Sequence, residues 1–127
     1  MDPIELLFIP MTPSSTLSNR TALITGGSRG IGAAIVRDLA SRGANVFFTY
    51  LSNSDLALDL CRELSSPIQR VVAFQANACD RDSDAKIVAA VLEAFSSGID
   101  ILVHNAGGSV IKPLGGFTHE EYRRVYE

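Results

Sequence analysis

Glycines at positions 26, 30 and 32, in Thr25-Gly26-Gly27-Ser28-Arg29-Gly30-Ile31-Gly32, are spaced to bring bare backbone close to an anion. They follow the apolar run Thr21 to Ile24 and open a segment with helical spacing, which predicts a sharp turn from strand into helix. The unbonded N–H groups of a helix start, and the positive end of its dipole, then face whatever lies above the turn. Such a turn suits the pyrophosphate of a dinucleotide. A second glycine pair, Gly107-Gly108, follows another apolar run that ends in His104-Asn105-Ala106.

Positioning these turns is the task of alternating elements. Thr21–Thr25, Asn45–Tyr50, Arg70–Gln75 and Ile99–Asn105 are short, apolar and bounded by turn residues, as strands buried on both faces are. Between them, Ile31, Ala34, Ile35 and Leu39 form one helical stripe, Leu56, Leu60 and Leu64 a second, and Ile87, Ala90, Val91 and Ala94 a third. Gly43, Ser65-Ser66-Pro67 and Ser97-Gly98 mark the helix stops. Thr118 and Glu121 fit a capping box and start a last helix, which reaches Glu127 without a stop signal and reads as cut rather than ended. The order βαβαβαβ predicts an α/β fold, a three-layer doubly wound parallel sheet of Rossmann type, truncated after the fourth strand and the start of the following helix. In such sheets ligands bind beyond the carboxyl ends of the strands, where strand order reverses, and both glycine turns fall at those ends.

Composition narrows the classes. The 127 residues, 46% hydrophobic and 20% charged, suit one soluble domain with a modest core. A formal net charge of −3, with no sizeable basic cluster, gives no reason to expect nucleic acid, and Arg123-Arg124 reads as a solvated helix face. Ile4 to Ile9 is too short to span a bilayer and lacks a preceding positive residue, so no membrane segment is expected. Cys61 and Cys79 have neither CxxC spacing nor clustered histidines, which argues against metal or disulfides and for a reducing cytoplasm. Residues 1–18 read as a loosely ordered leader, with Met11 as an alternative start, and residues 19–127 as a partial dinucleotide-binding domain.

The GxxxGxG spacing preceded by Thr25, together with Leu102-Val103-His104-Asn105-Ala106-Gly107 at a later strand end, resembles the short-chain dehydrogenase/reductase family. The second element matches that family's NNAG motif with His104 in place of the first Asn. The flavour is that of 3-oxoacyl-carrier-protein reductases and fungal polyhydroxynaphthalene or versicolorin reductases. The resemblance covers about residues 19–127 and implies that Gly26, Ser28, Arg29, Gly30, Ile31 and Gly32 form the cofactor turn. It further implies that Asn77, where the family usually has Asp, contacts adenine. Asn105, Ala106 and Gly107 would lie near the nicotinamide ribose, with Asn105 mainly fixing backbone, and His104 is expected to pack beside the sheet.

Cofactor choice follows from charge. A site for NAD(H) usually ends its second strand in a carboxylate that binds the ribose 2′-hydroxyl and repels a 2′-phosphate. Here that strand runs into Tyr50-Leu51-Ser52-Asn53, with no acid before Asp55, while Arg29 offers a guanidinium inside the glycine turn. NADP(H) is therefore favoured over NAD(H), with Tyr50, Ser52 and Asn53 beside its ribose phosphate.

No catalytic residue is assigned. The resemblance implies proton transfer by a Tyr whose pKa is lowered by a Lys four residues later, aided by a Ser and a relay Asn, because an unaided phenol is a poor acid–base partner at neutral pH. Tyrosines stand only at 50, 122 and 126, and neither Lys86 nor Lys112 follows one at that spacing. The family's relay Asn would fall just past Glu127. One reading is the cofactor-binding half of an NADP(H)-dependent carbonyl reductase or alcohol dehydrogenase, inactive alone. The other is a non-catalytic short product that binds NADP(H), forms homo-oligomers or pairs with a full-length relative.

Overall fold

The computed structural model describes residues 16–109, 111–113 and 115–126. Four strands and four helices alternate: β1 Thr21–Ile24, α1 Gly30–Ser41, β2 Asn45–Tyr50, α2 Ser54–Leu64, β3 Val71–Gln75, α3 Ser83–Ala94, β4 Ile101–Val103 and α4 His119–Tyr126. All strand pairs are parallel and the sheet order is β3-β2-β1-β4. Order runs outward from β1 to β3 and then jumps back across β1 to β4. The reversal therefore lies between β1 and β4, which places the two glycine turns side by side as expected.

Strand alternation divides the core between the two sheet faces. Ala22, Ile24, Val46, Phe48 and Val71 pack against Ala33, Val36 and Ala40 of α1 and Ala57 and Leu60 of α2. Leu23 and Phe47 meet Ile87 and Val91 of α3 on the opposite face. Helices on both faces complete the three layers. Phe47 and Phe48 are both buried, one on each face, and each contributes about 1.5–3 kcal/mol of hydrophobic burial.

Two helix stripes differ from expectation by one residue. On α1 the buried residues are Gly32, Ala33, Val36 and Ala40, with Ile35 and Leu39 at the margin and Ile31 exposed. Small side chains win the sheet-facing positions because the helix start presses directly on the β1 turn. On α2 the buried pair is Ala57 and Leu60, flanked by Cys61 and Leu64, so Leu56 is displaced outward. The α3 stripe lies where the spacing puts it.

Strand β4 is shorter than its apolar run. The N–H of Thr21 is taken by the Asp100 carboxylate at 2.9 Å, which ends the ladder below Ile101. Above Val103 the chain leaves the ladder for the side chain of Thr25, just past β1. Met11 lies outside the described residues. Of residues 1–18, expected as a leader, only Thr16–Ser18 are described, and there Leu17 packs on the core and donates its N–H to the Arg42 carbonyl. No helix among the described residues is long and apolar enough to cross a membrane.

Candidate functional site

The crevice beyond β1 and β4 is built by hydroxyls that hold two turns together. Thr25 Oγ1 accepts the N–H groups of Asn105 at 3.1 Å and Ala106 at 3.0 Å. In return Asn105 Nδ2 donates to the Gly26 carbonyl at 2.9 Å. From the β2 side, Thr49 Oγ1 accepts the Gly26 N–H at 3.1 Å and the Thr49 carbonyl accepts the Gly27 N–H at 2.8 Å.

Helix α1 starts under this turn with no room to spare. A Cβ on Gly32 would stand 2.0 Å from the Gly26 carbonyl oxygen and 2.6 Å from Asn105 Nδ2, so a side chain there is excluded. Gly30 is the opposite case: its φ of +58° demands glycine, yet nothing lies within 4 Å of where its Cβ would be. The backbone is open at Gly30 and closed at Gly32, as a concave cradle requires.

The first-turn donors of α1 point into that opening. The helix has no side-chain cap and no acid in its first turn, and its first internal bond is Ala33 N–H to the Arg29 carbonyl. Among the described residues no group accepts from the N–H of Gly30, Ile31 or Gly32. Helices α2 and α4, by contrast, are capped by Asn53 and by the reciprocal Thr118–Glu121 pair. Unsatisfied donors at a dipole's positive end form an anion site.

A cavity of about 300 Å³ opens beside this turn between α1 and α2, lined by Ser28, Arg29, Gly30, Arg37, Leu56 and Glu63 among others. Arg37 donates twice to Glu63, at 3.0 and 3.2 Å, and the shared hydrogen bonds and charge hold the Glu63 carboxyl below its usual range. Arg29 is exposed and has no ion-pair partner among the described residues, so it is the uncompensated cation at the cavity mouth.

The remaining candidate residues are distributed along the same strand ends. Tyr50 closes β2 and Ser52 and Asn53 follow it exposed, with Asn53 Oδ1 accepting the Leu56 N–H at 3.2 Å as the cap of α2. Asn77, also exposed, accepts the Cys79 N–H on its side-chain oxygen at 3.0 Å, and its amide nitrogen donates to no group among the described residues. Ala106 and Gly107 lie exposed after β4. His104 is exposed too, contrary to expectation, because no described helix covers the end of β4. Sequence reasoning missed Gly27, whose Cβ would sit 2.6 Å from Phe48 Cβ, and the two threonines. Thr25 was adjacent to the motif, whereas Thr49 lies 23 residues from its partner and carries no local signal.

Fold and crevice together define a dinucleotide-binding domain of the doubly wound class. The short chain dehydrogenase family model matches residues 20–127, and the chain belongs to the short-chain dehydrogenase/reductase family. It is similar to the short-chain dehydrogenase/reductase FrzI of Cladobotryum sp, 38% identical over 92% of this chain and 45% of that protein. It also resembles the hydroxynaphthalene reductase-like protein Arp2 of Metarhizium guizhouense, 36% identical over 91% of this chain and 42% of that protein. Among solved structures, a blue fluorescent protein from a metagenomic library in complex with NADPH superposes with a TM-score of 0.80 at 41% identity, covering 86% of this chain and 44% of that one. A short chain dehydrogenase from Burkholderia cenocepacia in complex with NADP gives 0.81 at 38% identity, covering the same shares, 86% and 44%. The chain thus spans somewhat less than half the length of the relatives it matches.

Proposed function

We propose that this chain is the NADP(H)-binding part of an oxidoreductase acting on a carbonyl/alcohol pair, with the proton-transferring Ser, Tyr and Lys supplied outside its 127 residues. The observation that carries the reading is the open cradle of N–H groups at Gly30, Ile31 and Gly32, which have no acceptor among the described residues, beside Arg29, which has no ion-pair partner among them. In it, the first turn of α1, with Ser28, holds the pyrophosphate, and Gly26 supplies the curvature. Arg29 binds the 2′-phosphate with paired charge-assisted hydrogen bonds, assisted by Ser52 and the Asn53 amide, with Tyr50 alongside. Asp55, the nearest acid after β2, is in the first turn of α2, where it favours that helix's dipole rather than closing the ribose site. Asn77 donates to adenine. Asn105 holds the Gly26 carbonyl, and the small side chain of Ala106 and the bare backbone of Gly107 leave room for the nicotinamide ribose.

Bound NADPH supplies a hydride to a carbonyl carbon. What this chain adds is orientation, since the turns after β1 and β4 fix where the ring lies. The complexes of related structures with NADPH and NADP support the cofactor class. Free Cys61 and Cys79 support a reducing cytoplasmic setting, and the net charge of −3 argues against nucleic acid as a partner. A copy of itself or a full-length relative is the protein partner this reading allows.

Titration with NADPH and NADH, followed by nicotinamide fluorescence, tests the cofactor. NADPH is expected to bind more tightly by at least roughly tenfold. Equal affinity would remove the role given to Arg29, and binding of neither would sink the reading. Sequencing the source transcript past the codon for Glu127 tests the enzyme: an in-frame Ser and Tyr-x-x-x-Lys supports it, whereas an immediate stop leaves a cofactor-binding product.

A further inference from the structure

We infer that Thr49, at the buried end of β2, is a positioning residue that sets the pyrophosphate-binding turn through the Gly26 peptide. The inference rests on the NADP(H) reading above. Thr49 is 4% exposed and captures two successive N–H groups, Gly26 through its hydroxyl at 3.1 Å and Gly27 through its carbonyl at 2.8 Å. The carbonyl of Gly26 is held from the other side by Asn105 Nδ2 at 2.9 Å. Both ends of that residue's polar backbone are therefore fixed, at a φ of +69°.

The consequence reaches the ligand by contact. Gly26 and Gly27 N–H groups are engaged inside the protein, so the anion must be met by the first turn of α1. That turn rests on the Gly26 carbonyl at Gly32, where not even a methyl group fits. A shift of the Gly26 peptide thus passes to the donor set without slack. The same strand end also fixes the next turn, since the Tyr50 carbonyl accepts the Ala76 N–H at 3.0 Å and the Leu51 carbonyl accepts Gln75 Nε2 at 3.0 Å. That next turn is held by Tyr50 and Leu51 rather than by the Thr49 hydroxyl, so the ribose-phosphate end of the site stays in place when that hydroxyl is lost. Valine keeps the shape but cannot accept the Gly26 N–H, which would then lack a partner in a part-buried place.

The test compares wild type, Thr49→Val and Thr49→Ser in the full chain with two ligands, NADPH and adenosine 2′-monophosphate, the second lacking a pyrophosphate. Thr49→Val is expected to weaken NADPH roughly tenfold while changing adenosine 2′-monophosphate by less than about twofold, and Thr49→Ser to restore NADPH binding. Unchanged NADPH affinity in Thr49→Val overturns the inference, as does parallel loss of both ligands, which would mark a general structural role. If wild type binds neither ligand, the NADP(H) reading fails first and this inference goes with it. Should Thr49→Val not fold, amide exchange in ligand-free wild type decides: a protected Gly26 N–H is expected, and fast exchange overturns the positioning role.

Discussion

Two residues of the cradle should lose NADPH binding for different reasons, one through charge and one through packing. Arg29 is exposed and has no ion-pair partner among the described residues, so on the proposed reading Arg29→Ala should remove little from the folded state and much from a bound 2′-phosphate. Its NADPH affinity should fall by about 1.5–3 kcal/mol, roughly 10- to 100-fold, with NADH affinity little changed. Isothermal titration with both nucleotides reads the difference, and equal losses would mean that Arg29 does not read the phosphate. Gly32 is buried against the Gly26 carbonyl, and Gly32→Ala places a methyl carbon where only 2.0 Å exists. Overpacking costs about 1–3 kcal/mol, so the melting temperature should drop by roughly 5–10 °C and NADPH binding should be lost. A Gly32→Ala chain with wild-type melting would show that the turn can yield.

At the scale of elements, α4 is set by its first turn. Thr118 Oγ1 accepts the Glu121 N–H at 3.2 Å and the Glu121 carboxylate accepts the Thr118 N–H at 3.0 Å, while Lys112 pairs with the same carboxylate. Loop and helix are thereby joined at one acid. Thr118→Ala should cost the helix about 0.5–2 kcal/mol, seen as faster amide exchange across α4. The Lys112 hydrogen bond, followed by the Thr118 N–H, lowers the Glu121 pKa from 4.5 to about 2. Because the folded pKa lies below the unfolded one, the ionised acid stabilises the fold above the ordinary carboxylate range. That contribution is lost as pH falls toward about 2. Melting curves at pH 5 and pH 3 should therefore separate more for wild type than for Glu121→Gln, and less so in high salt; identical separations would remove Glu121 as the cause.

At the scale of the whole molecule, the sheet face that carries α3 is covered over β1 and bare over β4 among the described residues. Leu23 and Leu102 are register partners, yet Leu23 is 5% exposed beneath α3 while Leu102 is 53% exposed with no described helix over it. Among the described strands β4 is, like β3, an edge. An apolar face beside an open edge favours association. The isolated 127-residue chain is expected to self-associate at micromolar concentration, and Leu102→Lys to reduce this, as read by sedimentation velocity. A monomeric wild-type chain would show that the open face is tolerated.

Local chemistry made much of this legible in the sequence. Apolar runs bounded by turn residues located four strands, Thr118 and Glu121 located the α4 cap, and the glycine spacing located the cradle, because each depends on neighbours a few residues apart. The buried side of α1 was misread by one position, since which stripe faces the sheet was decided by the closeness of Gly32 to the Gly26 carbonyl and not by hydrophobicity. The exposure of His104 and Leu102 likewise depends on which helix covers β4. Thr25 with Asn105, and Gly26 with Thr49, are pairs separated by 80 and 23 residues, and no spacing rule connects them. The sequence by itself determined that a strand-turn-helix cradle would form. Only the tertiary structure decided how that cradle is held, because hydrogen bonds across parallel strands join residues that the chain keeps far apart.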